Sequence, residues 1–202
     1  MTIKAIIFDL GGVLVRTADF SPREQLAARL GMSRAELEDF IFGGESGEKA
    51  QRGEITAVEH WENLYHTLNY PAEEFRIIVD EFFRQDQLDG ELVDYVRKLH
   101  QTYKTALLSN AWDDQREVIA EKWHIEDAFD VIISSSKVGM VKPDRRIFEL
   151  TLERLGSEAC QTIFVDDMTS NVEGASAIGM HAIQFRTPVQ VRWDIEQLLG
   201  RD

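Results

Sequence analysis

Five short apolar runs, separated by helical patterns, constrain this chain more than any other feature. Ile3 to Phe8 is rich in isoleucine and ends at Asp9-Leu10-Gly11-Gly12. Similar runs recur at Thr105–Leu108, Val131–Ser134, Thr162–Val165 and His181–Phe185. Each is short, continuous and bounded by turn or polar residues, as a strand covered on both faces should be. Between them, Leu92, Val93, Val96 and Leu99 share one helical face, and so do Ile147, Phe148, Thr151, Leu152 and Leu155. Strands that alternate with helices predict an α/β fold, a Rossmann-like parallel sheet wound on both sides.

One stretch breaks the alternation. From residue 17 to 88 the sequence carries helical patterns and no convincing strand. Ser21-Pro-Arg-Glu24, Ser33-Arg-Ala-Glu36 and Thr56-Ala-Val-Glu59 each read as a capping box at a helix start. Pro71 suits the first position of a fourth helix. Val58, Trp61, Leu64 and Leu68 are expected to form the apolar stripe of the third. The expected organisation is therefore a catalytic core of residues 1–16 and 89–202, with a four-helix bundle of residues 17–88 inserted after the first strand. The glycine-rich segment from Phe42 to Glu48 reads as a loop able to reach the site. Pro188 to Leu199 reads as a terminal helix.

Charge narrows the partners. Asp and Glu number 36 against 22 Lys and Arg, a net charge of −14. That field repels nucleic acid and anionic membranes, so neither is expected as a partner. An anionic small molecule would need local help from a metal ion, a lysine or backbone N–H groups. Cys160 is the one cysteine, which allows no internal disulfide and fits a reducing compartment. No apolar run approaches a membrane span, and the first residues do not form a signal peptide, so the expected location is the cytoplasm. A monomer or weak homodimer is expected.

In an open parallel sheet, ligands bind beyond the carboxyl ends of the strands, where strand order reverses. The polar residues at those ends form a coherent set. The first strand delivers Asp9 and the second Ser109 and Asn110. Lys142, followed by Pro143, comes after the third, and the fourth delivers Asp166 and Asp167. Carboxylates brought together repel unless a cation joins them, and oxygen-only ligands suit Mg²⁺. A carboxylate can attack phosphorus, while a hydroxyl, N–H groups and an ammonium offset charge on the other phosphate oxygens. A small phosphorylated metabolite is the expected substrate.

These segments resemble the four motifs of the haloacid dehalogenase superfamily. They are Phe-Asp-Leu-Gly-Gly-Val-Leu at 8–14, Leu-Leu-Ser-Asn at 107–110, Val-Lys-Pro-Asp at 141–144 and Phe-Val-Asp-Asp-Met-Thr-Ser-Asn-Val-Glu-Gly-Ala at 164–175. The resemblance implies a phosphatase in which Asp9 is nucleophile and Mg²⁺ ligand. It implies further ligands in the Gly11 carbonyl and Asp167, with Asp166 adjacent or acting through water. Ser109, Asn110 and Lys142 would hold the phosphate, and the helical insertion would be a substrate-selecting cap.

One position departs from that pattern. Most phosphatases of the superfamily carry a second aspartate two residues after the nucleophile, as a general acid and base. Here the residue is Gly11, which cannot move a proton. Such help is worth about 10²–10⁴-fold in rate. A leaving group that is already a weak base needs it least, which suggests a sugar 1-phosphate or acyl phosphate. The motif also resembles a bacterial subgroup that includes α-D-glucose-1-phosphate phosphatase. Alternatives are a phosphometabolite sensor without turnover and a metal-free 2-haloacid dehalogenase, although the latter has no use for the Asp166-Asp167 pair. Asp19, just past the first turn, is a candidate substitute base. Asn171 is expected to position Asp167 or to belong only to its helix, and Trp112 to wall the pocket or pack in the core.

Overall fold

The computed structural model describes residues 2–200. The elements in chain order begin with β1 (Ala5–Phe8), β2 (Val15–Thr17), α1 (Ser21–Arg29), α2 (Arg34–Phe42), α3 (Gly44–Gln51), α4 (Ala57–Leu68) and α5 (Ala72–Phe83). Next come β3 (Asp86–Leu88), α6 (Gly90–His100), β4 (Lys104–Ser109) and α7 (Gln115–Glu117), which runs into a wider turn at Val118–Trp123. The rest is β5 (Val131–Ser134), α8 (Ser135–Val138), α9 (Arg145–Leu155), β6 (Thr162–Asp166), α10 (Thr169–Ala177), β7 (His181–Gln184) and α11 (Pro188–Leu199).

The five apolar runs form one parallel sheet in the order β5-β4-β1-β6-β7. The chain builds outward from β1, first to one side through β4 and β5, then to the other through β6 and β7. Strand order therefore reverses at β1. Side chains of a strand alternate between faces. Ile6 and Phe8 accordingly point into one core with Leu107, Val165, α6 and α11. Ala5 and Ile7 point into the other with Leu108, Phe164, α9 and α10. Burial on both faces explains why the runs are continuously apolar.

Residues 21–83 build a third, separate core around Leu26, Leu37, Ile41, Leu64, Phe75, Ile78 and Phe82. Five helices stand where four were expected. The additional one is α3, in the glycine-rich segment read as a loop. Its glycines disfavour a helix. Lys49 pairs with Glu45 at 2.6 Å and Arg52 with Glu48 at 3.2 Å, one helical turn apart, and Gly47 and Ala50 are buried against its neighbours. The capping boxes at Ser33 and Thr56 form as expected. The one at Ser21 does not: Phe20 occupies the cap position and Ser21 is already helical, because the Asp19 carboxylate accepts the Ser21 N–H instead. Pro71 is the cap of α5, one position before its first turn. In α4, Val58 is 66% exposed, and Ala57, His60 and Leu64 face inward. His60 is accommodated there because its ring nitrogens meet the Ile41 carbonyl and the Ser46 hydroxyl, each at 2.9 Å.

A two-stranded antiparallel ribbon, β2 with β3, carries the chain into and out of this helical segment. Arg23 pins the segment to the ribbon. Its guanidinium donates to the Phe82 carbonyl at 3.0 Å and to Asp86 at 2.7 Å, and Asp86 also accepts from Thr17 at 2.7 Å. Among the described residues, no helix is long and apolar enough to cross a membrane.

Two substitutions test this packing by urea unfolding. Phe148 is fully buried with its ring on Phe164. Phe148→Ala should lower stability by about 3–5 kcal/mol. Val58→Ala, on the solvent side of α4, should stay within about 0.5 kcal/mol.

Candidate active site

The carboxyl end of β1 lies between the ends of β4 and β6, so Asp9, Ser109 and Asp166 arrive side by side. Asp9 is buried, and its Oδ1 accepts from the Leu10 N–H at 2.7 Å. The Lys142 ammonium lies 2.9 Å from that same oxygen and 2.6 Å from Asp166 Oδ2, and it donates to the Leu108 carbonyl at 3.0 Å. Its side chain is only 1% exposed. An unpaired ammonium could not stay charged at that depth; here two carboxylates and a carbonyl replace its water.

The backbone of Lys142 is held as firmly. The Asn110 side chain donates to its carbonyl at 2.9 Å and accepts from its N–H at 2.7 Å. Asn110 was expected at the phosphate. Its side-chain oxygen and one amide N–H are bonded to the backbone of Lys142. Asp166 is fully buried, and its carboxylate also accepts from the Met168 N–H at 2.9 Å and from the Asn171 amide at 3.0 and 3.1 Å. Asn171 therefore positions Asp166, not Asp167. Ser109 is buried at the end of β4.

One carboxylate oxygen from each of Asp9, Asp166 and Asp167 lies within 4.8 Å of the others. Burial pushes the Asp9 carboxyl up to about 7; the Asp166 charge adds to this and Lys142 opposes it. Burial and the Asp166 charge also push Asp167 up. Three carboxylates thus face one ammonium, and the cluster favours taking up positive charge, as protons or as a cation. A hard divalent cation fits this oxygen-only donor set. Gly12 makes room for the Asp167 carboxylate, with a φ of +76° and no side chain; a Cβ there would overlap it. Gly11 is exposed, with open space where a Cβ would lie.

Above the cluster lies a cleft of about 1120 Å³ between the sheet end and the helices of residues 21–83. Gly11, Gly12, Ser109, Asn110 and Asp167 line its floor. Phe42, Trp61, Phe83 and Trp112 line its wall. Trp112 does both things expected of it, walling the cleft and packing on the helical core. Phe42 opens the segment expected to reach the site, whereas Phe83 is a wall residue that the sequence did not reveal, since it ends a helix with no motif around it. Asp19 is exposed and bonded to Ser21, away from the cleft lining.

A family model for haloacid dehalogenase-like hydrolases matches residues 3–179. The chain belongs to the haloacid dehalogenase-like hydrolases. Sesquiterpene phosphatase astK of Aspergillus oryzae is 28% identical over 98% of both chains. D-ribitol-5-phosphate phosphatase of Bacteroides thetaiotaomicron is 26% identical over 98% of this chain and 99% of that one. Mouse acyl-CoA dehydrogenase family member 10 is 29% identical across 98% of this chain, which spans only 19% of that much longer protein. Among solved structures, a haloacid dehalogenase family enzyme from B. thetaiotaomicron, an Asp-to-Ala mutant in complex with magnesium and inorganic phosphate, superposes with a TM-score of 0.73. It covers 91% of this chain and 94% of its own, at 23% identity. The fold is that of the family, and two of these relatives are named as phosphatases.

The two glycines should respond differently to alanine. Gly12→Ala displaces Asp167 and should weaken Mg²⁺ binding by about 10–100-fold in a calorimetric titration. Gly11→Ala meets open space and should change it far less.

Proposed function

We propose that this hydrolase is a Mg²⁺-dependent phosphomonoesterase that works through an aspartyl-phosphate on Asp9. The observation that carries the reading is the convergence of Asp9, Lys142, Asp166 and Asp167 beneath an open cleft with Ser109 at its floor. Asp9, the Gly11 carbonyl and Asp167 would hold the cation, with Asp166 adjacent. The cation would supply positive charge to the phosphoryl oxygens and keep Asp9 ionised.

The remaining chemistry belongs to the chain. An Asp9 oxygen attacks phosphorus, the ester P–O bond breaks, and the alcohol leaves with its electron pair and takes a proton from water. A second water attacks the aspartyl-phosphate, the bond to Asp9 breaks, and inorganic phosphate departs. Lys142 and the Ser109 hydroxyl offset charge on the phosphoryl group. Asp166 and Asn110 position Lys142, and Asn171 positions Asp166. The helical segment of residues 17–88 acts as the cap that excludes bulk water. We place this activity in the cytoplasm, on the ground that one cysteine allows no internal disulfide.

Gly11 supplies no proton, so the leaving group is one that departs as a weak base. Anomeric sugar phosphates and acyl phosphates meet that requirement, and glucose 1-phosphate should release phosphate faster than glucose 6-phosphate. The open space at Gly11 admits a carboxylate, so Gly11→Asp should narrow that difference by raising the slower rate. The acidic cluster supports a phosphatase over a metal-free dehalogenase, which would not need it.

Phosphate release with and without a chelator tests the proposal. Activity should require Mg²⁺, and Asp9→Asn should abolish turnover while sparing the fold. Saturable binding of phosphate esters with no release would instead identify a sensor, and chloride release from a 2-haloacid in the presence of chelator would identify a dehalogenase.

A further inference from the structure

The cleft wall bears on the alcohol part of the substrate, given the phosphatase reading above. A phosphoryl group at the floor would occupy a small part of about 1120 Å³, and the same cavity continues upward into a cluster of four rings. They come from four places: Phe42 at the end of α2, Trp61 in α4, Phe83 at the end of α5 and Trp112 after β4. The Trp112 ring stacks on Phe42 at 5.9 Å and meets Trp61 edge-on at 4.8 Å, and Phe83 lies 5.9 Å from Phe42 and 6.3 Å from Trp61. Although Phe42 packs on its neighbours, it is still 38% exposed, on the cleft side of the group. Scattered exposed apolar residues are ordinary, but a joined patch that opens into a cavity marks a binding surface.

Two of the arginines in the same wall are committed to neighbours. Arg23 is taken by Phe82 and Asp86, and Arg34 donates to Glu38 at 2.7 and 2.9 Å. The Trp112 indole N–H and the Gln115 side-chain amide, also in the lining, have no hydrogen-bond partner among the described residues and offer a place for one hydroxyl; the ring faces beside them offer apolar contact only. A hydrocarbon needs only the ring faces.

We propose that the leaving alcohol is an apolar, aromatic one whose body lies against Phe42, Trp61, Phe83 and Trp112 while its phosphate sits at Ser109 and Asp167. An aryl phosphate also satisfies the demand for a weakly basic leaving group that Gly11 imposes, which makes aryl esters suitable probes.

The test compares phenyl phosphate, 2-naphthyl phosphate and glucose 1-phosphate in the Mg²⁺-loaded protein. The two aryl alcohols have similar basicity and differ in apolar area, so their ratio isolates contact with the wall. The kcat/KM for 2-naphthyl phosphate should exceed that for phenyl phosphate by about tenfold. Phe42→Ala and Trp61→Leu, two separate trims of the wall, should each shrink that ratio. Equal values for the two aryl esters, a higher value for glucose 1-phosphate than for either, or equal losses on all three substrates in both variants would overturn the proposal. If nothing releases phosphate, the hydrolase reading fails by itself, and calorimetric affinities for the same esters decide instead. Tighter binding of 2-naphthyl phosphate supports the apolar wall, and equal affinities sink it.

Discussion

The buried ammonium of Lys142 is the interaction on which the site depends. It lies between Asp9 and Asp166 with the Leu108 carbonyl as a third partner. A charge at that depth is tolerated only when its partners are in place, and removing one member of a buried pair costs about 3–5 kcal/mol. The partners come from β1, β4, β6 and the segment before α9, so these must all be docked before the charges balance. Asn110 and Asn171 extend the same demand to the backbone of Lys142 and to the carboxylate of Asp166. The balance is incomplete: three carboxylates share one ammonium, and the excess negative charge favours the uptake of positive charge, as protons or as a cation.

Sheet topology and the helical segment divide the work. Strand order reverses at β1, which leaves a crevice at its carboxyl end with the acidic cluster at the bottom. The β2–β3 ribbon then sends the chain away and back, and the helices it carries close the crevice from above. Two polarities result within one cavity, a charged floor and an aromatic wall. In the proposed chemistry the floor handles the phosphoryl group and the wall handles the alcohol. Gly11, at their junction, gives up proton transfer and leaves space.

The core was legible in the sequence because its strands are buried on both faces, so their patterns are continuous and short. The motif residues at the strand ends were legible for the same reason, since each follows an unmistakable run. The helical segment was read less well. Val58 looked apolar and therefore inward, yet the third core needed Ala57, His60 and Leu64 on that face. The segment after Phe42 looked like a loop from its glycines, yet ion pairs one turn apart and contacts with neighbouring helices hold it helical. At Ser21 a local competitor, the Asp19 side chain, took the N–H that the expected start would have used.

Sequence alone determined the five strands of the main sheet and the helices between them, the set of residues at the strand ends and the absence of a proton-transferring side chain at Gly11, because these depend on local pattern and residue chemistry. Only the tertiary structure decided that the Asn110 side chain serves Lys142, that Asn171 serves Asp166, and that rings from α2, α4, α5 and the loop after β4 share one wall. Such pairings join residues distant along the chain, and nothing in local periodicity records which distant side chain will satisfy a buried donor or cover a ring face.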